Sequence, residues 1–251
     1  MKITKLELYT DKVQDLKIFY VMVLGFELHN ETESDFTIKA GHTLLTFRWG
    51  NPTQASPSYH FAFNIPENKI EEARRWLYSR SVPLLKWEDE DVVDFPNWNA
   101  QALYFLDPAD NIVELIARRD LANASTVNFN AQSITSVSEI GLPVPEIEPF
   151  YQQLKARFDL PLYSHIADLT KFCPTGDPEG LFIIVPLERA WFPTKLINGV
   201  HPLVVTIETA QEISTEDQPK KGQPKEDHPE KDQPEKKTWI IEDLPYVIKE
   251  A

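Results

Sequence analysis

Two side chains able to do chemistry stand in apolar surroundings. Glu114 lies between Ile112 and Ile116 on one face of an alternating segment. Because a lone buried carboxylate is costly, this acid must be paired, protonated or bound to a metal. His60 stands within the apolar run 59–63, where it is either a hydrogen-bonded histidine of a sheet or a ligand.

Aromatic residues provide the material for a ligand pocket. Four of them could line a cavity for an aryl or hydrophobic molecule, or could belong to the core: Trp49, Phe63, Trp98 and Tyr104. No Ser-His-Asp set, phosphate-binding loop or dinucleotide-binding glycine pattern occurs, and the chain has only eight glycines. The sequence therefore argues against an enzyme that uses ATP or a dinucleotide.

Composition limits the partners and the compartment. The net charge of −14 argues against a nucleic-acid partner, because such affinity depends on neutralising phosphates. The single cysteine, Cys173, cannot form an intramolecular disulfide. The chain starts directly with a strand pattern, and no segment approaches the roughly 18 apolar residues that span a bilayer. We expect a cytoplasmic protein with no membrane partner.

The elements that must position these residues recur in a β-α-β-β-β order. The first module has a strand at 3–10, an amphipathic helix at 13–24 and a hairpin formed by 36–40 and 43–49. The second has strands at 59–65, 82–87, 102–106 and 112–117 and a helix at 68–80. The third has a strand at 138–144, a helix at 147–158 and a hairpin within 165–186. Such repetition is typical of modules that share a core.

The fourth module is truncated. Its strand at 201–208 is followed by four five-residue units at 218–237, each with proline second and none with an apolar side chain. This composition predicts a disordered, charged insertion at 214–237. Apolar residues return at 238–241 and 244–248, which predict a closing strand or hairpin and place the repeat in a loop.

Two motifs give the modules a family resemblance. Phe19-Tyr20 followed by Leu24-Gly25-Phe26, and the hairpin 104–115 with its Asp107-Pro108 turn, resemble the signatures of the vicinal oxygen chelate superfamily. That superfamily includes glyoxalases, bleomycin-resistance proteins and extradiol dioxygenases. The resemblance implies an α+β fold of paired βαβββ modules in two domains. Residues 1–120 would hold modules 1 and 2, 121–132 a linker, and 133–251 a degenerate second domain.

The same resemblance implies a metal site in the cup of the first domain. The family's ligand positions fall on His60 and Glu114, while the first module's position falls on Lys5, or on Glu7 if the register slips by two. His60, Glu114 and Glu7 would suit Mn, Fe, Zn or Ni. Glu7 and Glu114 would then be catalytic, and Lys5 and Tyr9 would bind substrate with the four aromatic residues. Alternatively, a Lys5–Glu114 ion pair replaces the metal.

The second domain offers a parallel pair. Glu139 and His201 occupy the first-strand positions of modules 3 and 4, but the truncated fourth module supplies no clear third ligand. We interpret this domain as retained for packing or as a lid over the first.

Two function classes follow from the resemblance, and a third follows from the charged repeat. One is a metal-dependent lyase, isomerase or ring-cleaving dioxygenase acting on a small oxygenated molecule. The second is a metal-free binding protein like the bleomycin-sequestering members. The third is a scaffold that recruits a partner through 218–237. The expected partner is a small molecule, and the expected state a monomer or homodimer.

Overall fold

Two mixed β-sheets dominate the computed structural model, which describes residues 1–50, 57–163, 168–209 and 237–251. The first sheet contains, in spatial order, β14 (Thr238–Ile240), β15 (Tyr246–Glu250), β13 (Leu203–Glu208), β1 (Lys2–Thr10), β4 (Thr43–Trp49), β3 (Asp35–Ala40) and β2 (Glu27–Glu31). We call it the outer-module sheet, because modules 1 and 4 form it.

The second sheet, formed by modules 2 and 3, is called the inner-module sheet. It contains β11 (Cys173–Asp177), β12 (Gly180–Pro186), β10 (Ser136–Val144), β5 (His60–Ile65), β9 (Ile112–Arg118), β8 (Ala100–Leu106) and β6 (Leu84–Leu85). A short strand, β7 (Val93–Phe95), also pairs with β8. The predicted α+β fold of βαβββ modules is confirmed.

Each of the three predicted helices is present. Helix α1 (Val13–Lys17) continues as a π-helical segment at Ile18–Val23 and ends before Gly25, whose φ of +83° suits glycine. Helices α2 (Ile70–Ser79) and α3 (Ile147–Phe158) bury one apolar stripe each. The apolar residues recur every three or four positions and therefore lie on one face of each helix. That face packs against the sheets.

The pairing of modules differs from the expected pairing. Strand β1 lies antiparallel to β13, with Leu6 opposite Val205, and β5 lies antiparallel to β10, with Phe61 opposite Ile140. Module 1 therefore joins module 4, and module 2 joins module 3, whereas we expected modules 1 and 2 to share a cup. The free edge of one first strand can form backbone hydrogen bonds with the free edge of any other. The local sequence pattern therefore does not specify which module pairs with which. The domain limits 1–120 and 133–251 remain a prediction.

Thr43 links the two sheets through hydrogen bonds. Its buried hydroxyl donates to the carbonyl oxygen of Ile3 at 2.6 Å and accepts from the backbone N–H of Val137 at 3.0 Å. The turn before it also lies against the residue that precedes β10, because a Cβ on Gly41 would lie 1.8 Å from the carbonyl oxygen of Thr135. The β3–β4 turn therefore fixes the outer-module sheet against the strand that carries Glu139.

The closing strands predicted at 238–241 and 244–248 correspond to β14 and β15 and are confirmed. The predicted insertion 214–237 lies, except for Lys237, outside the described residues, as does His165. Within the described ranges, no helix has the length and apolar character to cross a membrane.

Replacing Thr43 with valine should destabilise the fold by about 1–3 kcal/mol, because two buried backbone groups lose their partner while the shape is kept. Urea unfolding measures the loss. Thr46→Val is the matched control, since Thr46 is half-buried and its hydroxyl bonds the hydroxyl of Thr37, at 2.8 Å, within one sheet. Equal losses in the two variants would contradict a special role for Thr43.

Candidate metal centre and adjoining cavity

Three neighbouring strands of the inner-module sheet bring His60, Glu114 and Glu139 together. Strand β5 lies between β9 and β10, and its Ala62 is opposite Glu114 on one side and opposite Glu139 on the other. Alternate residues of a strand share a face, so His60 and Ala62 point the same way. The small side chain of Ala62 leaves the space in which the two carboxylates approach each other and the imidazole.

The three side chains form a compact, buried cluster. The Nε2 atom of His60 lies 3.7 Å from Oε2 of Glu114 and 3.9 Å from Oε2 of Glu139. One donor atom from each residue lies within 4.8 Å of the others, and the three residues are 7%, 3% and 2% exposed, respectively. This separation is close to that of ligands around one metal ion.

The imidazole of His60 is neutral and correctly oriented for a ligand. Its Nδ1 atom lies 3.2 Å from the carbonyl oxygen of Ile112, which can only accept, so Nδ1 carries the hydrogen. Burial lowers the pKa of His60 to about 4, the carbonyl contact opposes the shift, and the charge of Arg189 contributes to it. At neutral pH the Nε2 lone pair therefore faces the two carboxylates.

The carboxyl groups are held in an unfavourable environment. Burial, and then the charge of Glu139, raises the pKa of Glu114 well above its usual value, although Arg118 and Tyr104 lower it in part. Burial also raises the pKa of Glu139, against the opposing effect of Arg118. Because two buried carboxylates face each other, the cluster favours taking up a proton or a cation.

Arg118 is the fixed cation beside the cluster. Fully buried at the end of β9, it forms an ion pair with Glu139, and its Nε donates to Oδ1 of Asn64 at 3.3 Å. Sequence reasoning missed this residue. Its signal was the alternation of Glu114, Ile116 and Arg118 on one face of an apolar strand.

A cavity of about 280 Å³ opens next to the three donor atoms. Its walls are largely aromatic, and six rings line it: Phe95, Trp98, Tyr104, Phe172, Trp191 and Phe192. The ring of Trp191 lies 5.1 Å from that of His60, and a Cβ on Gly141 would lie 2.4 Å from Cη2 of Trp191. Gly141 thus allows Trp191 to cover the histidine.

The predicted aromatic residues fall in three places. Trp98 and Tyr104 line the cavity, and Tyr104 hydrogen-bonds Glu114. Phe63 instead lies in the core, 5.4 Å from the ring of Phe26. Trp49 is 55% exposed at the end of β4 in the outer-module sheet.

The first-strand residues of module 1 lie apart from the cluster, in the outer-module sheet. Lys5 is exposed and paired with Leu44 and Thr206, so the expected Lys5–Glu114 ion pair does not form. Glu7 instead approaches Arg48, at 3.3 Å. The expectation that they share a cup with Glu114 is wrong, because β1 pairs with β13 rather than with β5.

Tyr9 and His201, which were also noted in the sequence, lie near Tyr59. Tyr9, also on β1, donates its backbone N–H to the hydroxyl of Tyr59 at 3.2 Å. His201 lies just before β13, with its ring 5.7 Å from that of Tyr59. Glu139, noted in the sequence only as a module-3 counterpart, is the residue that completes the cluster.

Comparison with known proteins supports the fold. Neither a family model nor a curated protein matches the chain. Among solved structures, a proposed dioxygenase from Bacillus subtilis is similar over 83% of this chain and 70% of that chain, with 15% identity and a TM-score of 0.57. At this identity the likeness shows a shared fold, and it agrees with the fold that the sequence resemblance implies.

Smaller structures match about half of the chain. A lactoylglutathione lyase from Agrobacterium tumefaciens has 24% identity, covering 45% of this chain and 90% of that chain, with a TM-score of 0.38. A fosfomycin-resistance protein from Listeria monocytogenes, solved with Mn(II) and 1S,2S-dihydroxypropylphosphonic acid, has 15% identity. It covers 45% of this chain and 86% of that chain, with a TM-score of 0.36.

Replacing Arg118 with methionine should destabilise the metal-free protein by about 3–5 kcal/mol, because Glu139 then lacks its cation. Adding Glu139→Gln to this variant should recover part of the loss, since the uncompensated charge is gone. Urea unfolding of both single variants and the double variant, with a chelator present, gives the interaction free energy between Arg118 and Glu139. Additive losses would contradict the assigned ion pair.

Proposed function

We propose that this protein binds a divalent transition metal at His60, Glu114 and Glu139 and acts on a small oxygen-bearing molecule in the adjoining cavity. The observation that supports this most directly is the convergence of three buried donor atoms within 4.8 Å. In this proposal, Glu139 takes the position expected for Glu7.

The donor set fits such an ion. Metal–nitrogen and metal–oxygen bonds of roughly 2.0–2.2 Å place neighbouring ligand atoms about 3–3.5 Å apart. The observed 3.7 and 3.9 Å separations require only small side-chain movements to reach that range. One neutral imidazole with two carboxylates suits Mn²⁺, Fe²⁺, Zn²⁺ or Ni²⁺. A divalent ion would also neutralise the carboxylate charge that Arg118 leaves uncompensated.

Each ligand has a partner that holds it in place. The carbonyl of Ile112 orients His60, Arg118 holds one oxygen of Glu139, and Tyr104 bonds Glu114. Such outer contacts fix the orientation of ligands and raise metal affinity.

A bound divalent ion would supply Lewis-acid chemistry, stabilising negative charge on oxygen atoms of the substrate. The protein's own groups would handle protons and water. Burial and the charge of Glu114 raise the pKa of Tyr104 well above its usual value, so its hydroxyl acts as a donor. As a ligand Glu114 would be ionised, so the proton that its raised pKa favours is held only while the ion is absent. The aromatic walls exclude water.

These roles fit a lyase, an isomerase or a ring-cleaving dioxygenase, and the reaction type stays open among them. A small-molecule partner, a cytoplasmic location and a monomeric or homodimeric state also remain predictions.

Arg118 favours a second candidate, a metal-free binding protein. In place of the expected ion pair between Lys5 and Glu114, the structure has an ion pair between Arg118 and Glu139. Arg118 thus supplies a permanent cation next to the carboxylates. In that case a proton shared by Glu114 and Glu139 would balance the remaining negative charge. The cavity would then bind a ligand without catalysing a reaction.

Metal binding separates these candidates. Calorimetric titration of the metal-free protein with Mn²⁺, Fe²⁺, Zn²⁺ and Ni²⁺ should give one site for at least one ion. His60→Gln, Glu114→Gln and Glu139→Gln should each weaken binding at least about tenfold, because each removes one of three ligands. Metal content after purification provides a second readout.

Glu7→Gln is the matched control, since Glu7 is a partly buried carboxylate in an ion pair on the other sheet. It should bind metal as the unaltered protein does. Absence of binding for every ion would support the metal-free candidate and contradict the metal proposal. Loss of binding in Glu7→Gln would contradict the ligand set.

Metal affinity should fall as the pH falls. Binding must displace the proton that the raised pKa of Glu114 retains, whereas His60, with a pKa of about 4, is already unprotonated near neutrality. One released proton weakens binding up to about tenfold for each pH unit below the raised pKa of Glu114, down to the usual range of a free carboxyl group. Titrations in buffers of different ionisation enthalpy count the released protons. A pH-independent affinity across this interval would contradict the protonated carboxyl.

A further inference from the structure

Arg189 is a cation in the cavity wall that has no carboxylate partner in the part of the chain that the structure describes. Of the residues that line the cavity, it is the one with a permanent positive charge. Within the described ranges, no carboxylate oxygen lies within 4.0 Å of its guanidinium, whereas Arg74 and Arg118 of the inner modules have acidic neighbours at this distance. A half-buried guanidinium of this kind is suited to an external anion.

The position of the guanidinium is fixed by two contacts. Its Nη1 donates to the carbonyl oxygen of Lys171 at 3.1 Å, and its central carbon lies 5.0 Å from the ring centre of Phe172. A guanidinium has five N–H donors, so one bond to a carbonyl leaves others for a ligand. The side chain is thus held in place without being saturated.

The guanidinium and the three donor atoms serve the same cavity. Arg189 lines the same cavity as His60, Glu114 and Glu139. Trp191, two residues along the same segment, covers that imidazole. A small ligand could therefore touch the donor end and the guanidinium together.

The acids of the cavity limit the charge of that ligand. Glu139 is paired with Arg118, whereas Glu114 and the exposed Asp94 also line the cavity. One arginine opposite these acids suits a single negative charge better than a phosphate dianion. A planar carboxylate also matches the guanidinium fork.

We infer that Arg189 is the anion-binding residue of this cavity and that its ligand is a small aromatic monocarboxylate. The six aromatic rings of the wall supply the surface for a flat ring. Which end of the ligand reacts rests on the proposed function. The contact between the ligand carboxylate and Arg189 does not require a metal.

Benzoate and benzamide test this contact, because they have nearly the same shape and differ in charge. Both are titrated by calorimetry into the metal-free protein with a chelator present. The unaltered protein should bind benzoate at least about tenfold more tightly than benzamide. Arg189→Gln should bring the two affinities together while keeping that for benzamide, which shows that the cavity is intact. Arg189→Lys should give an intermediate preference.

Arg119→Gln is the matched control, since Arg119 is exposed and lies outside the cavity lining. It should keep the preference for benzoate. Equal affinities in the unaltered protein, binding of neither compound, or a preference that persists in Arg189→Gln would overturn the inference. Tighter binding of phenyl phosphate than of benzoate would overturn the monocarboxylate assignment. Because no metal is present, failure here is distinguishable from failure of the metal proposal.

Discussion

Burying two carboxylates beside each other is the interaction on which the rest of the site depends. Glu114 and Glu139 are each at most 3% exposed, and both face the Nε2 atom of His60. Neither could stay charged there without compensation, because desolvation and mutual repulsion act in the same direction. Arg118 offsets one charge, and the other invites a proton or a divalent ion. The neutral imidazole is the third member of a donor set that is incomplete without a cation.

The fold creates this situation through the order of its strands. Because β5 lies between β9 and β10, a single small residue, Ala62, separates the two acids. The pairing of module 2 with module 3 is therefore what forms the cluster. Thr43, which touches β10, and the β3–β4 turn, which lies against the residue before that strand, fix the outer-module sheet there. The aromatic wall then excludes water, which strengthens every electrostatic contact at the base of the cavity.

Much of the fold was readable from the sequence, because the period of apolar residues and the turns at Gly25 and Asp107 are local signals. Together with the family resemblance, these signals placed His60 and Glu139 at first-strand positions and Glu114 at a hairpin position. They could not say which module pairs with which, because free strand edges are chemically alike. For that reason Glu7 was predicted as the third ligand in place of Glu139, and Arg118 was not predicted at all. The positions of Glu139 and Arg118 beside Glu114 depend on contacts between residues that are distant in sequence. A periodic pattern does not encode such contacts.

The most direct test of the central claim is anomalous diffraction from crystals of the protein loaded with Mn²⁺, with data collected on both sides of the metal absorption edge. The account predicts one anomalous peak within about 2.3 Å of Nε2 of His60 and of one carboxylate oxygen each from Glu114 and Glu139. A peak beside Glu7 and Arg48, or no peak in the cavity of a protein that binds Mn²⁺ in solution, would contradict it.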